Sequence, residues 1–408
     1  MTRVVILGGG YVTLHAYAKL VRRCARDVRR GDLEIVVISA DHAHRFHGFT
    51  GELVAGMVRP DRLATPLSEA MPLARIVRGR AASVDTVGRS VSYRRDGDAA
   101  IETLAYDQLV VGTGAAEPTA GVTGLRDHGF TLRGPDEIGV LADHLATVPR
   151  SPVVVAGGGI AGAELAAAIA DRGHPVTLVH AAGRILAEWS DQPRLVARAE
   201  AELDRLGVRV IPRTRLTEVT PTDAVLSDGT TLPTTTVVAT TGQQPVRLPG
   251  LDRWRDERGR LRTSRTLAVT AGVWAAGDGA RVSHPGTGEP VPANALWAIK
   301  GGDHIGRALV RELRGRPARL FTYPGLGRAA SFGYGRGLSE LYGVPFTGAL
   351  AWLLRLVFFL RFMPSRSRAA GVVADLVRFA VTPRSGRRVR AVPVATPLAS
   401  PAVRAEAA

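Results

Sequence analysis

Along the chain a short, uninterrupted apolar run is followed by a glycine-rich turn and then by a stretch with helical spacing, and this unit occurs twice. The first copy is Val4-Val5-Ile6-Leu7, then Gly8-Gly9-Gly10, then a helix over Leu14 to Arg30 and a second strand over Leu33 to Ser39. The second is Val153-Val154-Val155-Ala156, then Gly157 to Gly162, then a helix over Ala161 to Arg172 and a strand over Val176 to His180. Continuous apolar runs of four to seven residues are what strands buried on both faces require, and their alternation with helices predicts βαβ units of an α/β fold. Between the copies, Ile76 to Tyr93 alternates as strands do, and Tyr106 to Gly114 is an apolar strand ending in a small-residue turn. A Pro/Gly-containing connection, Glu117 to Gly124, leads to the second unit. After it come strand segments at Val208 to Ile211, Ala224 to Leu226, Val237 to Ala239 and Val273 to Asp278, and a helix over Pro292 to Leu309. Beyond Arg319 the pattern changes to two small β segments, Phe321 to Pro324 and Ala329 to Gly333, and a dense apolar stretch from Gly348 to Met363.

A glycine turn between strand and helix lets the backbone approach a pyrophosphate, whose charge the free amides of the helix N-terminus stabilise. The second copy satisfies G-x-G-x-x-G in full; the first has Thr13 where the third glycine would ease helix against strand. One such turn often does no more than end a strand. Two in the same context predict two bound dinucleotides. At the end of the second strand of each unit a carboxylate usually holds the adenosine ribose, but the chain has Ser39, with Asp41 two residues on, and His180, with Arg184 close behind. His180 either packs at its strand end or, with Arg184, favours a 2′-phosphate.

The composition, 45% hydrophobic with 5% aromatic residues over 408 positions, is that of a globular chain long enough for two or three domains. The net charge of +16 is carried by arginine, Lys19 and Lys300 being the only lysines. Cys24 is the single cysteine, which excludes a paired-cysteine redox centre. No secretory signal precedes the first glycine turn, so the nucleotide-binding body is expected in the cytoplasm. Positive charge concentrates from Arg355 onward, through Arg361, Arg366, Arg368, Arg378, Arg384, Arg387, Arg388 and Arg390. The stretch Gly348 to Met363 is too short to span a bilayer and is interrupted by Arg355 and Arg361. Trp352, Phe359 and Phe362 recur near helical spacing, which predicts a helix with one polar edge and a broad apolar face, lying in an anionic membrane interface or buried as a helix or dimer contact.

Together these features resemble the two-dinucleotide-binding-domain flavoproteins, and among them the type II NADH:quinone oxidoreductases, over nearly the whole chain. The resemblance implies FAD at the first glycine turn and NAD(P)H at the second. It places Gly8, Gly9, Gly10, Tyr11, Ser39, Ala81, Thr113 and Gly114 along the flavin nucleotide, with Gly277 and Asp278 at its ribityl chain. Gly157, Gly159, Ile160, Ala161, Gly162, His180 and Gly242 fall to NAD(P)H, and no residue to a metal. Glu164 matches a glutamate that the family places near nicotinamide and flavin, although a carboxylate early in a helix is also favoured by the dipole. Where such quinone reductases present two glutamines, this chain has Leu296 and Lys300. Lys300 either stabilises negative charge on a reduced group or is an exposed helix lysine.

The expected fold is therefore two Rossmann-like dinucleotide-binding domains with a C-terminal amphipathic, membrane-associated segment: FAD domain 1–118 and 245–320, NAD(P)H domain 119–244 inserted in it, and 321–408 for membrane or dimer contact. The expected activity is hydride transfer from NADH or NADPH to flavin and two-electron transfer to a membrane quinone at the cytoplasmic side of a bacterial membrane. A soluble reductase with another acceptor, and a basic binding module without dehydrogenase activity, are the alternatives. The arginines carry no nucleic-acid-binding motif, and no nucleic-acid partner is expected.

Overall fold

The structure is a computed structural model describing residues 1–132 and 137–382; Arg384, Arg387, Arg388 and Arg390 lie outside the described residues. The helices that position the site are α1 (Tyr11–Arg30), α2 (Thr50–Val54), α3 (Ile160–Asp171), α4 (Ala295–Glu312), α5 (Gly348–Phe362) and α6 (Arg366–Val381).

An eight-stranded sheet runs in the order Ala268–Thr270, Val273–Ala275, Gln108–Val111, Thr2–Leu7, Leu33–Ser39, Arg75–Asp85, Ser90–Arg95, Ile101–Ala105. Its five middle strands pair in parallel, so the predicted βαβ connection holds: Val4 to Leu7 sit between Ile35–Ile38 and Gln108–Val111 and are fully buried. α1 and α4 lie together on this sheet. They touch backbone to backbone, since a Cβ at Gly302 would stand 2.5 Å from the Val12 carbonyl oxygen and one at Gly306 would run into that of Ala16.

The second unit is a four-stranded parallel sheet ordered Arg209–Ile211, Val176–Val179, Val153–Ala156, Thr236–Ala239, with α3 following its central strand. Ala224 to Leu226 is a strand, as read, and lies in a separate antiparallel sheet with Leu216–Val219 and Thr231–Pro233. One element departs from the sequence reading. Phe321 to Pro324 is not a strand; Phe321 and Tyr323 pack their rings against Trp297 instead, and the C-terminal sheet is Gly327–Ser331, Gly337–Leu341, Val344–Thr347.

One hydrophobic core fills the first sheet and the α1–α4 layer. A second joins α3 and its sheet to Phe46–Leu63 and to residues of α5 and α6 such as Trp352 and Val372. The C-terminal helices are thus packed on the body of the protein. This corrects the reading of α5 as a helix with an arginine edge at an interface: Arg355 is buried, Trp352 with it, and Phe359 and Phe362 are half-buried, while Arg361 is exposed. The reason is a buried ion pair described below. Beside the exposed Arg361, Arg366 and Arg378, the two helices carry outward aliphatic stripes: Leu350, Leu353 and Val357 on α5, Val373, Val377 and Val381 on α6, at helical spacing.

Candidate functional site

Both glycine turns have the geometry of a phosphate cradle. Gly8 has φ of +97°, and a Cβ there would come 2.5 Å from the Gly112 carbonyl oxygen, so only glycine fits. At Gly10 an added Cβ would meet nothing within 4 Å, and the α1 N-terminus has no side-chain cap and no acidic residue in its first turn. Open space against free amides is what a pyrophosphate needs. Thr13, in place of the third glycine, is buried and donates its hydroxyl to the Gly8 carbonyl at 2.7 Å, so the turn is braced by a hydrogen bond where others rely on close packing.

Around this cradle, Ser39 is buried, its Oγ within 2.8 Å of where a Gly9 Cβ would stand, and it accepts from the Asp41 amide at 3.2 Å. Thr113 borders Gly8, and Gly114 (φ +64°) faces open space. Gly277 turns the chain with φ of +73° into Asp278, whose charge lies near enough to Tyr11 to help burial push that phenol's pKa upward. Ala81 lies three residues past Arg78, the partner of Ser39 across the ladder, and itself pairs with Tyr93. His44, which the sequence reading missed, donates Nδ1–H to the Gly9 carbonyl at 3.1 Å and stacks edge-on with Tyr11 at 4.8 Å. Burial holds its pKa at about 3, and its Nε2 is a buried acceptor without a partner. A neutral ring with one unused acceptor beside the cradle, together with the open first turn, fits an FAD molecule.

At the second cradle, Gly157 has φ of +115° and an added Cβ would overlap the Thr240 carbonyl; one at Gly162 would overlap the Gly157 carbonyl. Gly242, φ +127°, lies exposed just beyond Thr240. His180 has both nitrogens engaged: Nδ1 accepts from the Gly158 amide at 3.0 Å and Nε2 meets the Arg184 carbonyl at 2.7 Å. Arg184 is bound to Glu200 through two bonds of 2.9 and 2.6 Å, so neither residue stands as a free cation for a 2′-phosphate. An unforeseen carboxylate, Glu188, accepts from the Ile160 amide at 2.9 Å and lies 3.4 Å from where a Gly159 Cβ would stand. It occupies the anion position at the α3 N-terminus, next to Ala161.

Glu164, in the second turn of α3, lies at the seam between the two units. Its Cβ is 3.8 Å from where a Gly51 Cβ would stand, on α2. Its Oε1 accepts from the Ser331 amide at 2.7 Å and pairs with Arg355 at 3.1 Å. Arg355 also binds Glu52 at 2.6 and 3.3 Å and the Gly48 carbonyl at 2.9 Å. One buried guanidinium of α5 therefore joins α2 to α3. Burial raises the Glu164 pKa to about 7, Glu52 adding to the rise and Arg355 opposing it. A carboxyl poised there takes and releases a proton at neutral pH.

The inward face of α5 continues from Arg355 to Phe359 and Phe362, two turns or about 10 Å along the axis. Phe359 packs on Phe46 and Phe49, and Phe362 lies 6.1 Å from the His15 ring. At that end the Lys300 ammonium stands 5.5 Å from the Tyr323 ring centre and 5.8 Å from that of Phe362, with Leu296 one turn earlier on α4. Glu164 and Lys300 are thus brought to opposite ends of one aromatic wall.

The two cradles and the seam define a flavin- and pyridine-nucleotide-dependent oxidoreductase of the α/β class. The chain belongs to the pyridine nucleotide-disulphide oxidoreductase family, whose model matches residues 2–302. It is 27% identical to a demethylphylloquinone reductase, NdbB, of Synechocystis over 88% of this chain and 92% of that one. It is 23% identical to the type II NADH:quinone oxidoreductase of Staphylococcus haemolyticus over 87% and 93%. The fold matches that of NDH2 from Plasmodium falciparum, solved with NADH, with a TM-score of 0.81 at 11% identity, covering 96% of this chain and 99% of the other.

Proposed function

We propose that the protein transfers two electrons from NADH through bound FAD to a quinone. The observation that carries this reading is Glu164 and Arg355 at the seam of two nucleotide cradles, opening along α5 onto an apolar aromatic wall. FAD, when bound, supplies the two-electron carrier. Gly8 to Tyr11 would hold its pyrophosphate, with Thr113, Gly114, Gly277 and Asp278 along the rest of the nucleotide. Gly157 to Gly162 would hold that of NADH, displacing Glu188. The aromatic wall excludes water and accepts a flat apolar ring, Glu164 holds a proton on its carboxyl, and Lys300 offsets negative charge at the far end.

We read the donor as NADH because His180 and Arg184 are internally committed and Glu188 places a negative charge at the cradle. NADPH is favoured by one observation, the Arg213 guanidinium 3.7 Å from where a Gly183 Cβ would stand. The domain reading is FAD unit 1–118 and 245–320, NAD(P)H unit 119–244, and 321–408 for docking to the cytoplasmic face of an anionic membrane or to a second copy. It is supported by the outward aliphatic stripes of α5 and α6. Among the described residues no helix is long and apolar enough to cross a membrane.

The test is the anaerobic visible spectrum of the purified protein with each nucleotide, followed by a short-chain quinone. Flavin absorbance bleached by NADH and restored by quinone is expected. A colourless protein, or a flavin that neither nucleotide reduces, overturns the reading. Flotation with phosphatidylglycerol vesicles, lost in L353Q/V357Q, checks the membrane arm; a dimer that the same variant dissociates assigns the stripes to a second copy.

A further inference from the structure

The strongest unassigned feature is a groove of about 410 Å³ on the far side of the α1–α4 layer. Lys19, Arg22 and Arg23 of α1 face Arg307, Arg311 and Arg314 of α4 and its C-terminal end, over a floor that includes Val310. Arg316 and Arg319, on the turn that follows, complete a lining of eight cations with no carboxylate in it. Arg311 donates Nε–H to the Pro317 carbonyl at 2.7 Å, which fixes that turn against the groove.

Several arginines elsewhere are matched, Arg3 and Arg75 to Glu34, Arg184 to Glu200 and Arg328 to Asp191, and others such as Arg126 and Arg215 stand singly on the surface; what sets the groove apart is convergence. Here only Lys19 and Arg307 reach a carboxylate, Asp303, at 3.4 and 3.7 Å, and Asp303 also binds His15. Among the described residues Arg22, Arg23, Arg314, Arg316 and Arg319 enter no ion pair. Cations in the last turn of a helix answer its dipole, but α1 ends at Arg30, about two turns beyond Arg22 and Arg23. Their inward crowding is therefore not a helix cap. It is a set of planar donors converging from three segments on a volume the size of a small ligand, which is the chemistry that recognises phosphate oxygens in pairs.

We propose that the α1–α4 groove is a binding site for a compact ligand carrying two or more phosphate groups, distinct from both dinucleotide cradles. Arg23 lies twelve residues from Tyr11 on the part of α1 that precedes its kink at Cys24, which at about 1.5 Å per residue is about 18 Å from the glycine turn, too far to serve the same pyrophosphate. Such a ligand arrives either free, as a polyphosphate, or as the headgroup of a polyanionic lipid. The site rests only on the groove and stands or falls separately from the quinone reading.

The experiment is isothermal titration of the FAD-loaded protein, saturated with NAD⁺ to fill the second cradle, with inorganic triphosphate. The comparison is with R22Q/R314Q/R316Q and, as a control for bulk charge, R126Q/R209Q/R215Q, three exposed arginines away from the groove. Saturable one-to-one binding is expected, weakened at least about ten-fold in the groove variant and by less than about two-fold in the control, with NADH-driven flavin reduction unchanged in both. Absence of binding, or equal weakening in the two variants, overturns the proposal. Flotation with cardiolipin and with phosphatidylcholine vesicles then separates the sources. Loss of cardiolipin-selective flotation in the groove variant assigns the site to a lipid headgroup, and unchanged flotation with lost triphosphate binding assigns it to a free ligand.

Discussion

Replacing Arg355 with methionine keeps most of the side-chain volume and removes the cation between two buried carboxyl groups. The guanidinium's bonds to Glu52 at 2.6 and 3.3 Å, to the Gly48 carbonyl at 2.9 Å and to Glu164 at 3.1 Å all disappear. Breaking one side of a buried pair costs about 3–5 kcal/mol, chiefly because the partner charge is left in a poor dielectric. The loss also acquires a pH dependence whose sign is fixed. Glu164 already titrates near 7 because burial raises it, against the pull of Arg355; without that pull it moves higher. A carboxyl whose folded pKa exceeds its unfolded one contributes stability that is fully present below the unfolded value and is lost as pH rises toward the folded value. In the wild type that loss ends near pH 7, whereas in R355M it continues above pH 7 at about 1.4 kcal/mol per pH unit. Urea unfolding of the FAD-loaded protein, followed by the fluorescence of Trp189 and Trp352 in the core that α5 shares, should therefore show a wild-type-to-R355M gap wider at pH 8 than at pH 7. E52Q/R355M, which removes both members of the tighter pair, should recover part of the loss. A gap that is constant with pH, or a double variant no more stable than the single, refutes the assignment of Arg355 as the clamp on Glu164.

Three further outcomes follow from the same geometry. G162A drives a Cβ into the Gly157 carbonyl, so it should abolish bleaching of the flavin by NADH while the protein still purifies yellow; retained bleaching in a stopped-flow trace would contradict the second cradle. E188Q removes a charge-assisted bond to the Ile160 amide that competes with the nucleotide's pyrophosphate. A competitor worth about 1 kcal/mol at a helix N-terminus predicts a roughly five-fold lower Kd for NADH by titration, and an unchanged or higher Kd counts against displacement. K300M removes cation–π contacts with Tyr323 and Phe362 worth about 0.5–2 kcal/mol. It should raise KM for quinone with the rate of flavin reduction by NADH unchanged, and K300R should restore it; a change confined to the NADH step would place Lys300 elsewhere in the reaction.

The parts of this architecture that are periodic were legible in the sequence. Val4 to Leu7 and Val153 to Ala156 read as strands because a strand buried on both faces needs nothing but apolar residues, and the glycines after them are forced by carbonyls that a Cβ would strike. His180 was ambiguous because its role is settled by two backbone partners, the Gly158 amide and the Arg184 carbonyl, which only the folded turn brings to its ring. Glu188 carries no local signal at all: a glutamate eight residues past a strand end reads as surface until the loop folds back on the α3 N-terminus.

Arg355 shows why the C-terminal helix was misread at its most consequential position. Helical periodicity assigns a residue to a face, and an arginine in an apolar stretch is assigned to water because an unpaired charge cannot be buried at tolerable cost. That inference fails when the counter-charges come from elsewhere in the chain. Glu52 lies 303 residues away in sequence and Glu164 lies on a different helix, and neither is visible to a window moved along α5. Once both are in place the face that the aromatic residues share with Arg355 turns inward, and the aliphatic stripe of Leu350, Leu353 and Val357 is left outside. The same buried pair thus fixes which side of α5 meets the nucleotide seam and which side is free to dock. Any force that lifts α5 from the body must first break the contact that holds down the proton affinity burial gives Glu164.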